Sequence, residues 1–194
     1  MSYAWVEPLE PGAPDIVAAW RGIEAGELAT VRRQVTQRTG PGSTETIVPQ
    51  LATMAGALTT LVETLPEAIL RAPGGEGDWN VAQCIGHACE SRVGLCLAAS
   101  LAAAGRWPED APSVVQGIPG PPDADRETLV RKIAQSQRIV ERAARTVAGH
   151  ETDPCPLDHP QVGRLRCGEW VLFAGIHDLM HLEQVHALLE AADR

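Results

Sequence analysis

The sequence predicts an all-α protein: a four-helix bundle with a long crossover between its second and third helices, plus a helical N-terminal extension. Alanine and leucine dominate, and aromatic residues make up only 4% of the chain, which favours helices over strands. Four long stretches carry apolar residues at helical spacing, and no stretch makes a convincing sheet. Four such helices joined by loops are typical of a bundle.

Residues 1–42 are expected to form an extension that precedes the bundle domain, which we place at 43–194. The start is rich in proline, and a short helical segment around 15–37 carries Trp20. The glycine–proline–glycine sequence at 40–42 then interrupts the helical pattern. This break predicts the boundary between the extension and the bundle.

The first two bundle helices are predicted from apolar spacing and from a start signal. Helix one runs from about 50 to 64. Its apolar residues at helical spacing are Leu51, Met54, Leu58 and Leu61. After a glycine-rich loop at 71–78, Asn80 is a favourable N-cap and Gln83 stands three residues later, which is the pattern of a capping box. Helix two therefore begins there and continues to about Ala104.

A long connection separates the second helix from the third. Residues 105–125 contain too many prolines and glycines for regular structure, and a loop of this length is often functional. Helix three, from about 126 to 148, is amphipathic, with its basic residues outside the apolar face. A second proline-rich loop at 149–167 leads to helix four, from about 169 to 192.

Charge and cysteine content exclude several classes of protein. The net charge of −9 disfavours binding to nucleic acid or to an anionic membrane. No apolar run has the length of a membrane span, and no signal peptide opens the chain, so we expect a cytoplasmic protein. The five cysteines include no C-x-x-C pair, which predicts reduced thiols rather than a disulfide framework.

Three histidines are predicted to face the core. His177 and His181 are four residues apart on helix four, and each residue advances about 100°, so both lie on one face with Gln184. That face is apolar at both ends and polar in the middle, and buried polar groups need partners. His87 lies on the inward face of helix two. Three neutral imidazoles indicate a divalent-metal site of the catalytic kind, with an open position.

Residues beside these histidines have predicted supporting roles. Glu90 and Gln184 are placed to hold the ring tautomers of the ligands. Cys84 lies about 60° around helix two from His87 and could border the site or simply be packed. The alternative for the whole cluster is a set of core histidines that are satisfied by ordinary hydrogen bonds, with no metal.

Two known metal motifs are absent. A zincin needs H-E-x-x-H, but Asp178 follows the first histidine of the pair. A di-iron carboxylate bundle needs two Glu-x-x-His pairs, and only Glu183 with His186 matches, far around the helix from His177. Both classes are excluded.

Two segments resemble the DinB-like (DinB/YfiT) family of metal-dependent enzymes. The first, WNVAQCIGH at 79–87, is similar to the family's tryptophan, capping box and histidine, and the second, EWVLFAGIHDLMHLEQ at 169–184, is similar to its H-x3-H-x2-Q helix. The resemblance covers about 43–194 and implies a bundle of DinB/YfiT type. It also implies a divalent ion, nickel or zinc, bound by His87, His177 and His181, and often a homodimer.

The resemblance also implies a chemistry. Related proteins use their metal to transfer a low-molecular-weight thiol to a small-molecule substrate, so we expect a metal-dependent transferase or hydrolase with such a thiol as co-substrate. The alternative is a metal-binding, stress-associated or small-ligand-binding protein without catalysis. A second apolar face on helices two and four, which either residues 1–42 or another subunit could cover, also favours a homodimer.

Overall fold

A computed structural model describes residues 4–23, 28–74 and 77–192 of the chain. Within these ranges every regular element is helical, and the only β-type contacts are isolated bridges. The elements are a 3-10 turn Glu7–Leu9 and the helices α1 Pro14–Arg21, α2 Leu28–Arg38, α3 Ser43–Thr64, α4 Glu67–Leu70, α5 Val81–Ala103, α6 Arg126–Val147 and α7 Cys167–Ala192. The prediction of an all-α fold is confirmed. None of the described helices is both long and apolar enough to traverse a bilayer.

The four long helices α3, α5, α6 and α7 pack so that each has two close neighbours. α5 packs against α6 and α7, and α3 packs against the same two helices. α3 and α5 therefore lie on one diagonal of the bundle, and α6 and α7, which touch only slightly, lie on the other. The long connection at 104–125 links α5 to its neighbour α6. This order sets α5 and α7, the two helices that carry the inward histidines, side by side.

The start of α5 follows the predicted capping box. The Asn80 side chain accepts a hydrogen bond from the Gln83 backbone N–H at 2.9 Å, and the Gln83 side chain accepts one from the Asn80 N–H at 3.0 Å. α3 and α7 begin earlier than expected. α3 continues back through Pro49, which is exposed. At α7, Glu169 Oε2 accepts from the Arg166 N–H at 2.6 Å, so this carboxylate satisfies a donor at the helix start.

The N-terminal extension covers the second apolar face of α7. Ile16 of α1 is fully buried and packs so closely on Gly175 that a Cβ there would lie 2.4 Å from its Cδ1. Gln50 Oε1 accepts from the backbone N–H groups of Asp15 and Ile16 at 2.9 and 3.2 Å, which fixes α1 to α3. α1 thus fills a surface that the sequence left open to either the extension or a second subunit.

A charged pair is buried in the bundle centre. Arg92 of α5 and Asp178 of α7 are both fully buried, with Nε and Oδ2 3.4 Å apart. Arg92 Nη2 also donates to the Leu51 carbonyl of α3 at 2.9 Å and to Gln137 Oε1 of α6 at 2.8 Å. Burial raises the pKa of Asp178 to about 6, and Arg92 only partly opposes this effect. One guanidinium on α5 therefore contacts the other three long helices.

Two glycines hold the 104–125 connection against α5. A Cβ added to Gly86 would lie 2.8 Å from the Cα of Gly120, so only glycine lets the two backbones approach this closely. The Gly120 N–H donates to the Gln83 carbonyl at 3.0 Å. The Asn80 side chain adds a hydrogen bond to the Pro122 carbonyl at 3.0 Å. The end of the connection is therefore fixed on the first turns of α5.

Replacing Gly86 by alanine is expected to push this connection away from α5. The obstacle is main chain rather than a flexible side chain, so Gly86→Ala should lower the free energy of unfolding by about 1–3 kcal/mol. Hydrogen exchange should show faster exchange at the Gly120 amide. Gly56→Ala on α3 is the control, because nothing lies within 4 Å of its added Cβ. It should be neutral or stabilising by about 0.5–1 kcal/mol. Unchanged protection of Gly120 in Gly86→Ala would contradict the contact.

Candidate metal centre

The imidazoles of His87, His177 and His181 meet between α5 and α7. Each offers a ring nitrogen, and the three nitrogens all lie within 4.8 Å of one another. The ring centroids are 5.2 Å apart for His87 and His177, 5.0 Å for His87 and His181, and 4.5 Å for His177 and His181. His87 and His181 are buried. The structure thus brings together the three histidines that the sequence singled out.

The spacing of the two α7 histidines fits a shared ion. Nε2 of His181 lies 3.3 Å from Nε2 of His177. Two nitrogens bound tetrahedrally to one zinc at about 2.0–2.1 Å would lie roughly 3.3–3.4 Å apart. The pair therefore has the separation of two ligands of one ion without any rearrangement.

Hydrogen bonds to Nδ1 orient two of the rings. Nδ1 of His87 lies 2.8 Å from the Ile118 carbonyl oxygen, and Nδ1 of His181 lies 2.7 Å from Gln184 Oε1. Because both oxygens can only accept, each Nδ1 carries the proton and donates. The lone pair is then on Nε2, the atom needed for a metal. Ser91 Oγ, 3.2 Å from Nε2 of His87, is the remaining polar neighbour of that nitrogen.

His177 differs from the other two histidines in the hydrogen bonding of its Nδ1. Its Nδ1 is buried and has no hydrogen-bond partner among the described residues. Burial first, and then the nearby imidazoles of His181 and His87, hold the pKa of His177 well below its usual value of 6.5. The ring is therefore neutral at physiological pH and able to donate a lone pair.

The supporting residues lie differently from the prediction at one position. Glu90 makes no hydrogen bond to an imidazole among the described contacts: its carboxylate is exposed and forms an ion pair with Lys132 of α6. The oxygen that holds His87 belongs instead to Ile118, in the connection. A main-chain acceptor contributed by a loop leaves no trace in residue spacing, so sequence reasoning missed it. Cys84 is buried and its thiol donates to the Gly74 carbonyl at 3.4 Å, which fixes the turn before α5.

An apolar pocket of about 300 Å³ opens beside His87. α5 forms one wall and the connection forms the other, so the loop that contacts His87 through Ile118 also shapes the pocket. The polar residues in its lining are His87, Glu90, Ser91 and Gln116. The Trp79 ring lies 4.9 Å from the His87 ring and covers another side of the imidazole. A small, mainly apolar molecule could therefore lie next to the histidine cluster.

In metal-free protein, stability is expected to fall with acid because of His177. The unfolded chain takes up a proton at this position as the pH drops through 6.5, whereas the folded chain resists protonation to a lower pH. The contribution of His177 to the free energy of unfolding is therefore complete above pH 6.5 and is lost progressively below that pH. Urea unfolding in the presence of a chelator, from about pH 7 to about pH 5, should show a smaller loss for His177→Gln than for the wild type. Equal losses would contradict a neutral buried ring.

Comparison with known proteins agrees with this architecture. A family model described as the DinB superfamily matches residues 50–185, which include all three histidines and more than half of the chain. No curated protein matches, and no solved structure matches. The family match confirms the resemblance carried by the two histidine segments, and the chain belongs to the DinB superfamily.

Proposed function

We propose that this protein binds a divalent metal ion, nickel or zinc, through His87, His177 and His181. We further propose that it is an enzyme that uses this ion to transfer a low-molecular-weight thiol. The observation that carries the proposal is the meeting of three ring nitrogens from two helices within 4.8 Å. Imidazole nitrogens suit both metals, and three protein ligands leave a position open. The 3.3 Å between Nε2 of His177 and Nε2 of His181 gives further support, since two ligands of one ion have about that separation.

The residues around the histidine cluster have separate proposed roles. A bound divalent ion would supply a positive charge that lowers the pKa of a thiol or of water. Ile118 and Gln184 hold the Nδ1 protons and so keep Nε2 of His87 and His181 free. The apolar pocket would exclude water and orient the acceptor substrate beside the open position. Glu90, paired with Lys132 at the pocket wall, is the pocket's only carboxylate among the described residues.

Metal content tests the ligand set. Wild-type protein prepared without a polyhistidine tag should hold about one nickel or zinc ion per chain, and added metal should raise its melting temperature. His87→Ala, His177→Ala and His181→Ala should each lose most of the metal and keep the helical circular dichroism. His150→Ala is the matched control, because that exposed histidine pairs with Asp153 outside the cluster. A wild type that neither holds metal nor responds to it would favour hydrogen-bonded core histidines.

Turnover separates the enzyme from the alternative, a metal-binding stress-associated or ligand-binding protein. Metal-loaded wild type should consume thiol in the presence of small apolar electrophiles. Gly94→Leu should fill the pocket, because nothing lies within 4 Å of a Cβ added there. We expect it to keep its metal and to lose about tenfold in kcat/KM. Gly56→Leu, equally open but on α3, controls for the added bulk. Binding of thiol without consumption by the wild type would favour the alternative.

We also propose a homodimer. α5 and α7 keep two large apolar side chains partly uncovered, Leu97 at 42% and Met180 at 39% exposure, although α1 covers another face of α7. Light scattering at about 20 μM should give the mass of two 20.7 kDa chains. A mass of one chain at that concentration would exclude the dimer. Location in the cytoplasm stays a prediction.

A further inference from the structure

A second pocket lies at the start of α7. It has a volume of about 600 Å³ and is enclosed by α2, the loop at 149–167 and the first turn of α7. Its lining is more polar than that of the pocket beside His87 and includes Cys155 together with Arg32, Arg164 and Arg166. None of the residues proposed to bind the metal contributes to it.

Two cysteines meet behind the wall of this pocket. Pro154 and Arg166 form an antiparallel bridge, and the Cys167 N–H donates to the Asp153 carbonyl at 3.0 Å. Each cysteine directly follows one of the two bridged residues, so the bridge brings Cys155 close to Cys167. Both cysteines are free and buried. Cys155 lines the pocket and Cys167 does not.

The surroundings of the pair favour a thiolate on Cys155. The hydrogen bond from Cys167 lowers the pKa of Cys155 and, in return, raises the pKa of Cys167. The Trp170 indole N–H lies near enough to the Cys155 sulfur to add to this lowering. That indole nitrogen is fully buried and has no hydrogen-bond partner at normal geometry among the described residues. A sulfur anion at Cys155 would give it an acceptor.

The charges that line the pocket indicate what kind of ligand it would bind. Three guanidinium groups, those of Arg32, Arg164 and Arg166, line it. Arg166 is held by the Glu169 carboxylate at 2.8 Å, and Arg164 lies 3.9 Å from Asp158 Oδ2, so Arg32 is the cation without an ion pair among the described contacts. Guanidinium groups bind carboxylates well. A small molecule with carboxylates is thus the expected ligand.

We propose that Cys155 and Cys167 are a redox-active pair that exchanges with small, carboxylate-bearing disulfides. The Cys155 thiolate attacks one sulfur of the disulfide, whose S–S bond breaks, and the leaving thiolate takes up a proton. Cys167 then gives up its proton and attacks the Cys155 sulfur, which forms the Cys155–Cys167 bond and releases the second thiolate to accept that proton. Two protein thiols are oxidised and one small disulfide is reduced to two thiols.

Wild-type protein tests the pairing without any substitution. Reduced protein is incubated with oxidised glutathione, its remaining thiols are alkylated, and its peptides are mapped by mass spectrometry. The result expected is a disulfide between Cys155 and Cys167, with Cys89 and Cys96 still alkylatable after unfolding. These two cysteines are the internal control, because burial raises the pKa of each to about 12. Oxidation that joins other cysteines, or none, would overturn the proposal.

Variants test the order of the two steps. Cys167→Ser should accumulate glutathione on Cys155, because no second thiol can displace it, whereas Cys155→Ser should stay unmodified at Cys167. The same pattern is expected in His177→Ala, so failure of the proposed metal site would not disturb this test. Glutathione on Cys167 in Cys155→Ser, or none on Cys155 in Cys167→Ser with native circular dichroism, would assign the roles wrongly and overturn the mechanism.

The role of charge is tested with Arg32→Gln. This variant should react roughly threefold more slowly with oxidised glutathione and at an unchanged rate with the neutral disulfide of mercaptoethanol. Arg138→Gln, an exposed arginine of α6 outside the pocket, should match the wild type with both reagents. If Arg32→Gln slowed both reagents equally, or neither, recognition of a carboxylate by this pocket would be refuted.

Discussion

Three imidazoles from α5 and α7 share one small space, and much of the surrounding structure serves to bring them there or to orient them. The requirement is severe because neutral ring nitrogens at 3.3 Å offer each other little unless one carries a proton or a cation lies between them. The order of the helices brings the rings together, because α5 and α7 are neighbours. The Ile118 carbonyl and the Gln184 side chain orient two of the rings, because each accepts the Nδ1 proton of a histidine.

The connection between α5 and α6 joins the histidine cluster to the pocket. Contact between Gly86 and Gly120 holds its end on α5, and a few residues earlier the Ile118 carbonyl reaches His87. The same segment forms the pocket wall. A change in the loop sequence that altered the pocket would therefore also change the position of His87, the proposed metal ligand.

α7 is enclosed on nearly every side, and each side has its own partner. The histidines face α5, Asp178 meets the buried Arg92, and Gly175 receives Ile16 of the extension. Between Cys167 and Leu179 every residue of α7 except His177 is buried, so this part of the helix cannot rotate to relieve a poor contact, which helps to hold the histidines in place. The extension thus supports the site from behind. Cys167 is the first residue of α7, so the proposed redox pair lies at the opposite end of this helix from Gln184.

By itself the sequence determined the helical class, the capping box at Asn80 and the three inward histidines, because each follows from local spacing or from an end signal. It did not reveal the Ile118 acceptor, the Arg92–Asp178 pair or the meeting of Cys155 with Cys167. Those contacts join different segments of the chain, and side-chain spacing carries no information about which backbone will pass nearby. Only the packing of α5 against α7, and of the loops against both, decided them.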